Sequence, residues 1–368
     1  MIPPFDLTRQ YQVIKEEIDA AIAQVLQRGR FILGQEVEAF EREFAAACGV
    51  AHAVGVGSGT EALHLALRAA GIGPGDEVVT VSHTAVATVA AVELSGARPR
   101  LVDIDPQRYT MDPQQLEGAI TPRTRAVIPV HLYGCPADLA PILEIAARRG
   151  LVVVEDCAQA HGAQYQGRPV GSWGQIAAFS FYPTKNLGAY GDGGAIVTHD
   201  AALARQARLL REYGWAERYV SHIRGTNSRL DELQAAILRV KLRHLESWNE
   251  RRRQIARLYT EQLRDLPLAL PYDPPDGRHV YHLYVVRHPR RDALQAFLRQ
   301  RDIATLVHYP QPVHLQPAYA ELGYHAGSLP FSETAARQVL SLPMYPELGD
   351  DEVGAVAGAV REFLSQAQ

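Results

Sequence analysis

The sequence predicts an α/β protein with a largely parallel sheet between helices. Apolar, strand-like runs alternate with helical or turn segments across residues 77–157, which is the pattern of parallel strands covered by helices on both faces. One run, residues 151–156, has four apolar residues followed by two acids, as is typical of a buried parallel strand. The length of 368 residues is enough for a large core with a smaller second lobe.

Composition and charge exclude several classes of protein. The formal net charge is −4, which disfavours binding to nucleic acid. No apolar run approaches the roughly 18 residues of a membrane span, and no signal peptide opens the chain. The cysteines Cys48, Cys135 and Cys157 are too scattered for a CxxC metal site. We therefore expect a cytoplasmic protein that needs no metal and contacts neither membrane nor nucleic acid.

The first 47 residues are predicted to form helices that act as a packing arm. Ile14, Ile18, Ile22 and Val25 recur at helical spacing. A second helical stretch follows the FILG segment. We assign this arm to packing.

A glycine-rich turn follows the next strand-like run. A helix is expected to begin near Thr60, directly after Gly59, and the free N–H groups of a helix N-terminus suit a phosphate. Gly57, Gly59 and Ala62 also fit a G-x-G-x-x-A dinucleotide pattern. That pattern expects an acid at the end of a second strand, whereas the acids here precede one. An ordinary helix cap by Ser58 is the other interpretation.

Lys185 lies in a glycine-rich turn between two apolar runs, in the segment FYPTKNLGAYGDGG. Of the 37 Lys and Arg residues only three are lysine, so lysine has been used here for some chemical reason. Arginine stays protonated, whereas a lysine amine in a dry pocket can lose its proton and attack a carbonyl. A lysine on a surface turn is the alternative.

Asp156 ends the buried run that precedes this lysine by about thirty residues. Ligands of open α/β sheets bind at the carboxyl ends of the strands. An acid at that edge together with a lysine suits pyridoxal 5'-phosphate (PLP), which is held as a Schiff base by lysine with an aspartate against its ring nitrogen. The two residues therefore predict a PLP site.

Three segments of the chain resemble a known family. EDCAQAHGA at residues 155–163, GSWG at 171–174 and FSFYPTKNLGAYGDGGA at 179–195 are similar to the DegT/DnrJ/EryC1/StrS family of PLP-dependent nucleotide-sugar aminotransferases. The resemblance implies the aspartate aminotransferase (type I) fold. In that fold a large domain holds a mostly parallel seven-stranded sheet between helices, and a smaller C-terminal α+β domain follows. We place the arm and the large PLP-binding domain in residues 1–248 and the small domain in residues 249–368.

The same resemblance implies the cofactor contacts. Gly59 and Thr60 would cradle the PLP phosphate, and the Ser180 hydroxyl would join them. Gln159 would hydrogen-bond the ring hydroxyl. Asn227, which we expect to open a long helix, would reach the phosphate of the other subunit, so the resemblance implies a homodimer with shared active sites.

The residue that stacks on the PLP ring is the one departure from the family pattern. The family usually has an aromatic residue where this chain has Ala85. His83 is close by and is either a flat partner for the ring or a histidine that caps a helix. We interpret His161 as a structural histidine with satisfied hydrogen bonds.

Substrate contacts are assigned by resemblance to Tyr182, His308, Tyr309 and His314. The segment HYPQPVH, residues 308–314, is similar to the segment that lines the sugar site in enzymes acting on 3-keto sugars. A simple turn built from its two prolines is the alternative.

The reaction implied is ping-pong transamination. Lys185 would hold PLP and would act as general base and acid, and L-glutamate would supply the amino group. Our first choice of acceptor is a TDP-3-keto-6-deoxyhexose aminated at C3. A UDP-linked 3-keto sugar, or a 4-keto sugar, is the second choice.

Three other functions are compatible with parts of the sequence. A sugar dehydratase of the same fold would have histidine in place of Lys185. A non-catalytic regulator of the same family is disfavoured because Asp156, Gln159, Ser180 and Lys185 are all present. A nicotinamide-dependent oxidoreductase depends on the weak glycine pattern alone.

The rest of the chain is predicted in outline. Residues 215–226 are expected to form a loop, and the long helix is expected to start at Asn227. Strands are predicted at residues 279–287 and 304–310. Helices are predicted at residues 291–301, 317–323, 333–340 and 350–366.

Overall fold

The structure is a computed structural model that describes residues 1–366. Residues 367 and 368, the last two of the predicted small domain, lie outside the described residues. Twelve α-helices lie within the described part. They are α1 Leu7–Val13, α2 Lys15–Arg28, α3 Gln35–Ala47, α4 Gly59–Ala69, α5 Val86–Leu94, α6 Pro113–Ala119, α7 Leu139–Arg149, α8 Ala201–Arg211, α9 Glu232–Leu263, α10 Arg291–Arg299, α11 Pro330–Gln338 and α12 Asp350–Ser365.

Fourteen strands lie within the same residues. They are β1 His52–Val56, β2 Glu77–Val81, β3 Arg98–Val102, β4 Thr124–Val127, β5 Val152–Asp156, β6 Gln164–Tyr165, β7 Arg168–Pro169, β8 Ile176–Ser180, β9 Gly194–Thr198, β10 Trp215–Glu217, β11 Val220–Ser221, β12 Gly277–Arg278, β13 Tyr284–Arg287 and β14 Val339–Leu342.

Seven of these strands form the large sheet, in the order β1-β9-β8-β5-β4-β2-β3. The pairs from β8 to β3 are parallel, whereas β9 is antiparallel to both of its neighbours. Strand β9 therefore runs against the other six. The predicted α/β class with a mostly parallel seven-stranded sheet is confirmed.

Helices cover both faces of this sheet because its strands are apolar on both sides. Along β8, Ile176 and Ala178 belong to one buried cluster with residues of α4 and α8, and Ala177 and Phe179 belong to another with residues of α3 and α9. Successive strand residues point to opposite faces. Ser180 therefore shares its face with Ile176 and Ala178, on the side of α4.

The long helix α9 has 32 residues and crosses the boundary that we predicted between residues 248 and 249. Its N-terminal half packs in the cluster around Phe179, and its C-terminal half packs with β13, β14, α10 and α12 in a separate cluster. The division of the chain at that point stays a prediction. An α+β arrangement, two antiparallel strands with helices, does follow within residues 249–366.

Four local predictions were wrong. Residues 215–226 contain the hairpin β10–β11 rather than only a loop. Helix α9 begins at Glu232, with Asp231 as its N-cap, and not at Asn227. Residues 339–342 form β14, which ends the predicted helix at 333–340 early. Residues 304–310 form no named strand; only Leu306 makes an isolated bridge there.

None of the helices in residues 1–366 is both long and apolar enough to cross a bilayer.

Candidate active site

The N-terminus of α4 and the end of β8 meet in a very close contact. A Cβ atom placed on Gly59 would lie 2.5 Å from Ser180 Cβ and 3.0 Å from both Ser180 Cα and Oγ. Only glycine lets the helix approach the strand this closely. Ser58 Oγ accepts the N–H of Glu61 at 3.2 Å, so the cap that we considered is present, and the N–H groups of Gly59 and Thr60 are left for another acceptor.

The loop that carries Lys185 closes tightly on itself. A Cβ atom on Gly188 would lie 2.2 Å from the carbonyl oxygen of Pro183, so the two ends of this short segment are in direct contact. The Lys185 N–H donates to Tyr182 O at 2.9 Å. Burial lowers the pKa of the Lys185 amine to about 8, against the opposing effect of the Asp156 charge. At that pKa about a tenth of the amine is neutral at pH 7, far more than for an ordinary lysine, and the neutral form is the nucleophile.

Asp156 ends β5 and is buried. Its Oδ2 accepts from Thr88 Oγ1 at 2.8 Å and its Oδ1 accepts from Ala158 N at 3.1 Å. Burial raises the pKa of Asp156, and the hydrogen bonds and the Lys185 charge oppose that rise. A buried carboxyl with this little counter-charge suits a partner that brings its own positive charge.

Gln159 and Tyr309 come together beside Asp156, as their shared assignment to one site requires. Gln159 Nε2 donates to Tyr309 Oη at 3.1 Å, and Gln159 Oε1 accepts from Tyr133 N at 2.6 Å. Burial raises the pKa of Tyr309 to about 12, so its hydroxyl stays protonated. Tyr133 was missed by the sequence reasoning; its hydroxyl also donates to the His308 carbonyl.

His308 lies near Lys185 and is partly buried. Its Nδ1 is 2.8 Å from Ser341 Oγ. Burial, together with the positive charge of Lys185, lowers the pKa of His308 to about 4. The imidazole is therefore neutral at neutral pH.

Two further substrate candidates differ sharply in exposure. The Tyr182 side chain is on the surface, with 55% of the residue exposed. His314 is buried, and both of its ring nitrogens are taken: Nδ1 lies 2.7 Å from Ser82 Oγ and Nε2 lies 3.2 Å from Glu333 Oε1. We therefore do not carry His314 into the proposed substrate site.

Asn227 is exposed. It forms an isolated antiparallel bridge with Glu212. The next residue, Ser228, accepts the Gly57 N–H at 3.1 Å and donates to Glu61 at 2.9 Å. Asn227 is thus an exposed residue next to the turn that precedes α4.

His83 is not a helix cap, because Ala85 is the N-cap of α5. Its ring is buried, its Nε2 lies 2.7 Å from Tyr133 Oη, and Nδ1 has no partner among the described residues. Burial lowers the pKa of His83 to about 3. A neutral, flat ring is therefore available in this part of the site.

The interpretation of His161 as a satisfied histidine was wrong. Neither ring nitrogen has a hydrogen-bond partner within residues 1–366. The ring packs beside Phe179 and Phe181, and burial lowers the pKa of His161 to about 3. The imidazole is held neutral by its apolar surroundings.

His131, Glu155 and Cys157 place their possible ligand atoms within 4.8 Å of one another. His131 Nδ1 accepts from Ala137 N at 3.0 Å, and its Nε2 lies 3.1 Å from Glu155 Oε2. The Glu155 carboxylate also accepts three backbone N–H groups from residues 171–174. The His131 and Glu155 atoms are therefore already engaged in holding two loops together, and burial raises the pKa of the Cys157 thiol well above its ordinary value, which disfavours the thiolate that binds a metal.

The residues present fit PLP. The close contact of Gly59 with Ser180 leaves a helix N-terminus and a hydroxyl side by side, which suits a phosphate. A partly neutral amine on Lys185 and a buried acid at Asp156 supply the two groups that the aldehyde and the ring nitrogen need. Thr88, which sequence reasoning also missed, donates a hydrogen bond to the acid and holds it in place.

Comparisons with known proteins agree with this chemistry. A model of the DegT/DnrJ/EryC1/StrS aminotransferase family matches residues 12–361. The chain is 54% identical over 366 residues to the dTDP-3-amino-3,4,6-trideoxy-alpha-D-glucose transaminase of Streptomyces venezuelae, covering 99% of this chain and 97% of the relative. It is 47% identical over 363 residues to a UDP-N-acetyl-3-dehydro-alpha-D-glucosamine 3-aminotransferase of Acidithiobacillus ferrooxidans, covering 99% and 98%.

Solved structures give the same picture. DesV of S. venezuelae superposes with a TM-score of 0.97 at 54% identity, covering 99% of this chain and 98% of that one. NtdA of Bacillus subtilis, solved with bound cofactor PMP, superposes with a TM-score of 0.90 at 34% identity, covering 95% and 82%.

Proposed function

Since the chain belongs to the DegT/DnrJ/EryC1/StrS aminotransferase family, we propose that it transfers the amino group of L-glutamate to C3 of a TDP-linked 3-keto-6-deoxyhexose. The enzyme is a PLP-dependent sugar aminotransferase. The observation that carries the proposal is the placement of Lys185, with its lowered pKa, close enough to Asp156 for the two charges to act on each other.

Each cofactor residue has one role in this proposal. Gly59, Thr60 and Ser180 bind the phosphate at the N-terminus of α4. Asp156 keeps the ring nitrogen protonated, and Thr88 fixes the orientation of that carboxylate. PLP, when bound, supplies an electron sink for the negative charge that develops on the substrate carbon.

Lys185 moves the proton. Lys185 is the residue that would hold PLP. Once an amino donor has displaced it, its freed amine would take the proton from the donor's α-carbon and deliver it to the carbon that had carried the aldehyde of PLP. A pKa of about 8 suits both directions near neutral pH, because the amine that accepts a proton and the ammonium that donates one are both populated. Gln159 and Tyr309, joined by a hydrogen bond, orient the ring from the side.

The substrate assignment draws on relatives. One names a dTDP-3-amino sugar and another a UDP-linked 3-dehydro sugar, so amination at C3 is common to both. The higher identity, 54% against 47%, favours the TDP-linked sugar. His308 and Tyr309 line the sugar side of the site, with Tyr182 at its exposed edge. A UDP-linked 3-keto sugar, or a 4-keto sugar, remains the second candidate.

We place the enzyme in the cytoplasm as a homodimer in which Asn227 of each protomer reaches the phosphate bound by its partner. The exposure of Asn227 next to the turn that precedes α4 supports this. Lys185 argues against a sugar dehydratase, in which histidine would replace it.

The test combines labelling with a substrate panel. Borohydride reduction of the holoenzyme followed by peptide mapping is expected to place the cofactor on Lys185, and Lys185→Ala is expected to abolish transamination while the protein stays folded. Lys15→Ala, which removes a surface lysine, is the matched control and keeps full activity. A cofactor label on Lys15 or Lys241 contradicts the assignment. Activity of the wild type only with UDP-linked or 4-keto sugars contradicts the choice of substrate.

A further inference from the structure

Helix α9 carries three polar side chains on one face that all reach the loop after Lys185. They lie at positions 234, 241 and 249, and separations of seven and eight residues are each about two turns of an α-helix. The three side chains therefore point the same way. Sequence reasoning treated this helix as a core element with an apolar stripe and assigned these three residues no role.

The contacts fall on every second residue of the loop, at positions 186, 188 and 190. In chain order along the helix, Gln234 Oε1 accepts from Tyr190 N at 2.8 Å, Lys241 Nζ donates to Gly188 O at 2.6 Å, and Asn249 Oδ1 accepts from Asn186 Nδ2 at 2.8 Å.

The middle contact is unusual because it uses a buried lysine. Lys241 is 1% exposed, and its Nζ lies 5.0 Å from the ring centroid of Tyr190 and 6.0 Å from that of Trp248. Burial lowers the pKa of Lys241 to about 7, and the charge of Glu347 opposes that effect. The amine and the ammonium both carry N–H donors, so the bond to Gly188 is available in either form.

Of the three loop residues that α9 contacts, Gly188 has the most direct influence on the position of Lys185. Its α-carbon is pressed against the Pro183 carbonyl, so that no side chain fits between them. Fixing the Gly188 carbonyl therefore fixes both ends of the segment in which Lys185 stands. Gly188 is buried, and without the Lys241 donor its carbonyl would lose this hydrogen-bond partner in an apolar setting.

We propose that Lys241 is a positioning residue for Lys185, and that its bond to the Gly188 carbonyl sets where the catalytic amine stands relative to the cofactor. The inference rests on the proposed function, because it needs Lys185 to be the residue that holds PLP. Lys241 itself touches neither cofactor nor substrate in this proposal. A displacement of a reacting group by about 1 Å is enough to cost on the order of a hundredfold in rate.

The experiment compares Lys241→Met with the wild type as purified holoenzymes. Methionine keeps an unbranched, buried side chain but removes the N–H donor. The fraction of bound PLP that borohydride fixes on Lys185 is expected to fall, and kcat is expected to fall about tenfold or more while the KM for L-glutamate changes little. Leu263→Ala is the matched control, since Leu263 is buried on the same helix but packs in the cluster of the C-terminal region. It is expected to lower Tm without changing the trapped fraction or kcat.

Two outcomes separate this inference from the proposed function. If the wild-type label is found on Lys241, the assignment of Lys185 fails and this proposal fails with it. If the label is on Lys185 and Lys241→Met differs from the wild type only in Tm, as Leu263→Ala does, then only the positioning role is wrong. Should Lys241→Met not be obtained folded, Lys241→Leu carries the test. Its side chain is also apolar and has no N–H donor for the Gly188 carbonyl, so a wild-type trapped fraction and kcat in that variant also overturn the proposal.

Discussion

Replacing Gly59 with alanine is expected to weaken PLP binding, because the added methyl carbon has no room. It would lie 2.5 Å from Ser180 Cβ and 3.0 Å from Ser180 Cα, far inside the usual 3.5–4.0 Å separation of carbon atoms. One of these atoms is backbone in a buried strand of the large sheet, so the contact is relieved only by moving the helix end and the strand apart.

Two effects of this substitution on the free energy of the folded protein oppose each other. The helix preference is the same with and without PLP, so only the overpacking strain changes the Kd. Alanine in a helix is favoured over glycine by up to about 1 kcal/mol, whereas overpacking typically costs about 1–3 kcal/mol. The strain falls mainly on the cofactor-bound state, since the phosphate needs the helix end and the Ser180 hydroxyl at their present separation. At about 1.4 kcal/mol per tenfold, the overpacking cost corresponds to a rise of roughly 5- to 150-fold in the Kd for PLP.

The assay is equilibrium dialysis of the cofactor-free enzyme against PLP, supported by the shift of Tm with added PLP, which grows with the ratio of free ligand to Kd. Gly354→Ala on α12 is the control, because a Cβ atom there meets no heavy atom within 4 Å. That variant is expected to bind PLP like the wild type and to be slightly more stable. A Gly59→Ala enzyme with unchanged PLP affinity would refute the idea that this contact forms the phosphate site.

Two further predictions concern charge and subunit exchange. Asp156→Asn keeps the shape of the side chain but removes the charge opposite the ring nitrogen. Losing one partner of a buried charge pair costs about 2–5 kcal/mol, so kcat should fall by roughly 30- to 5,000-fold. A steady-state turnover equal to that of the wild type would remove Asp156 from this role. The variants Lys185→Ala and Asn227→Asp are each expected to be inactive, the second because it sets a negative charge beside a phosphate. In a mixed dimer both defects fall on one of the two sites, so such dimers should regain up to about half of the wild-type activity per dimer. No recovery in verified heterodimers would mean that Asn227 serves its own subunit.

Site residues could be predicted from the sequence where the neighbouring residues indicate both their position in the fold and their chemical role. Asp156 ends a run of apolar residues that is typical of a buried parallel strand, and ligands of such sheets bind at the carboxyl ends of the strands. Lys185 stood out because lysine is so rare in this chain. Gly59 was predictable from the strand–glycine–helix order, although the reason that glycine is required there, the approach of Ser180, involves a residue far along the chain.

What sequence reasoning missed depends on contacts between distant segments. His314 was assigned to the substrate, but Ser82, 232 positions away, takes one of its ring nitrogens. In the sequence, Lys241 is one polar residue on a helix predicted to be a core element. Its role depends on a hydrogen bond to Gly188, 53 positions away, which no local pattern indicates. The hairpin β10–β11 lacks the apolar alternation that marks a buried strand, because it lies at the surface.

The reversed direction of β9 has a consequence for the order in which the molecule is assembled. Strand β1 leads into the end of α4 that we propose as the phosphate site. Within residues 1–366 it pairs only with β9, and residue 52 meets residue 198. During synthesis at roughly 5–20 residues per second, β1 therefore waits on the order of ten seconds for its only neighbour. By that time the strands that flank Lys185 have both been made. The proposed phosphate site is therefore completed only after Lys185 has been synthesised. PLP binding accordingly belongs to a late stage of folding.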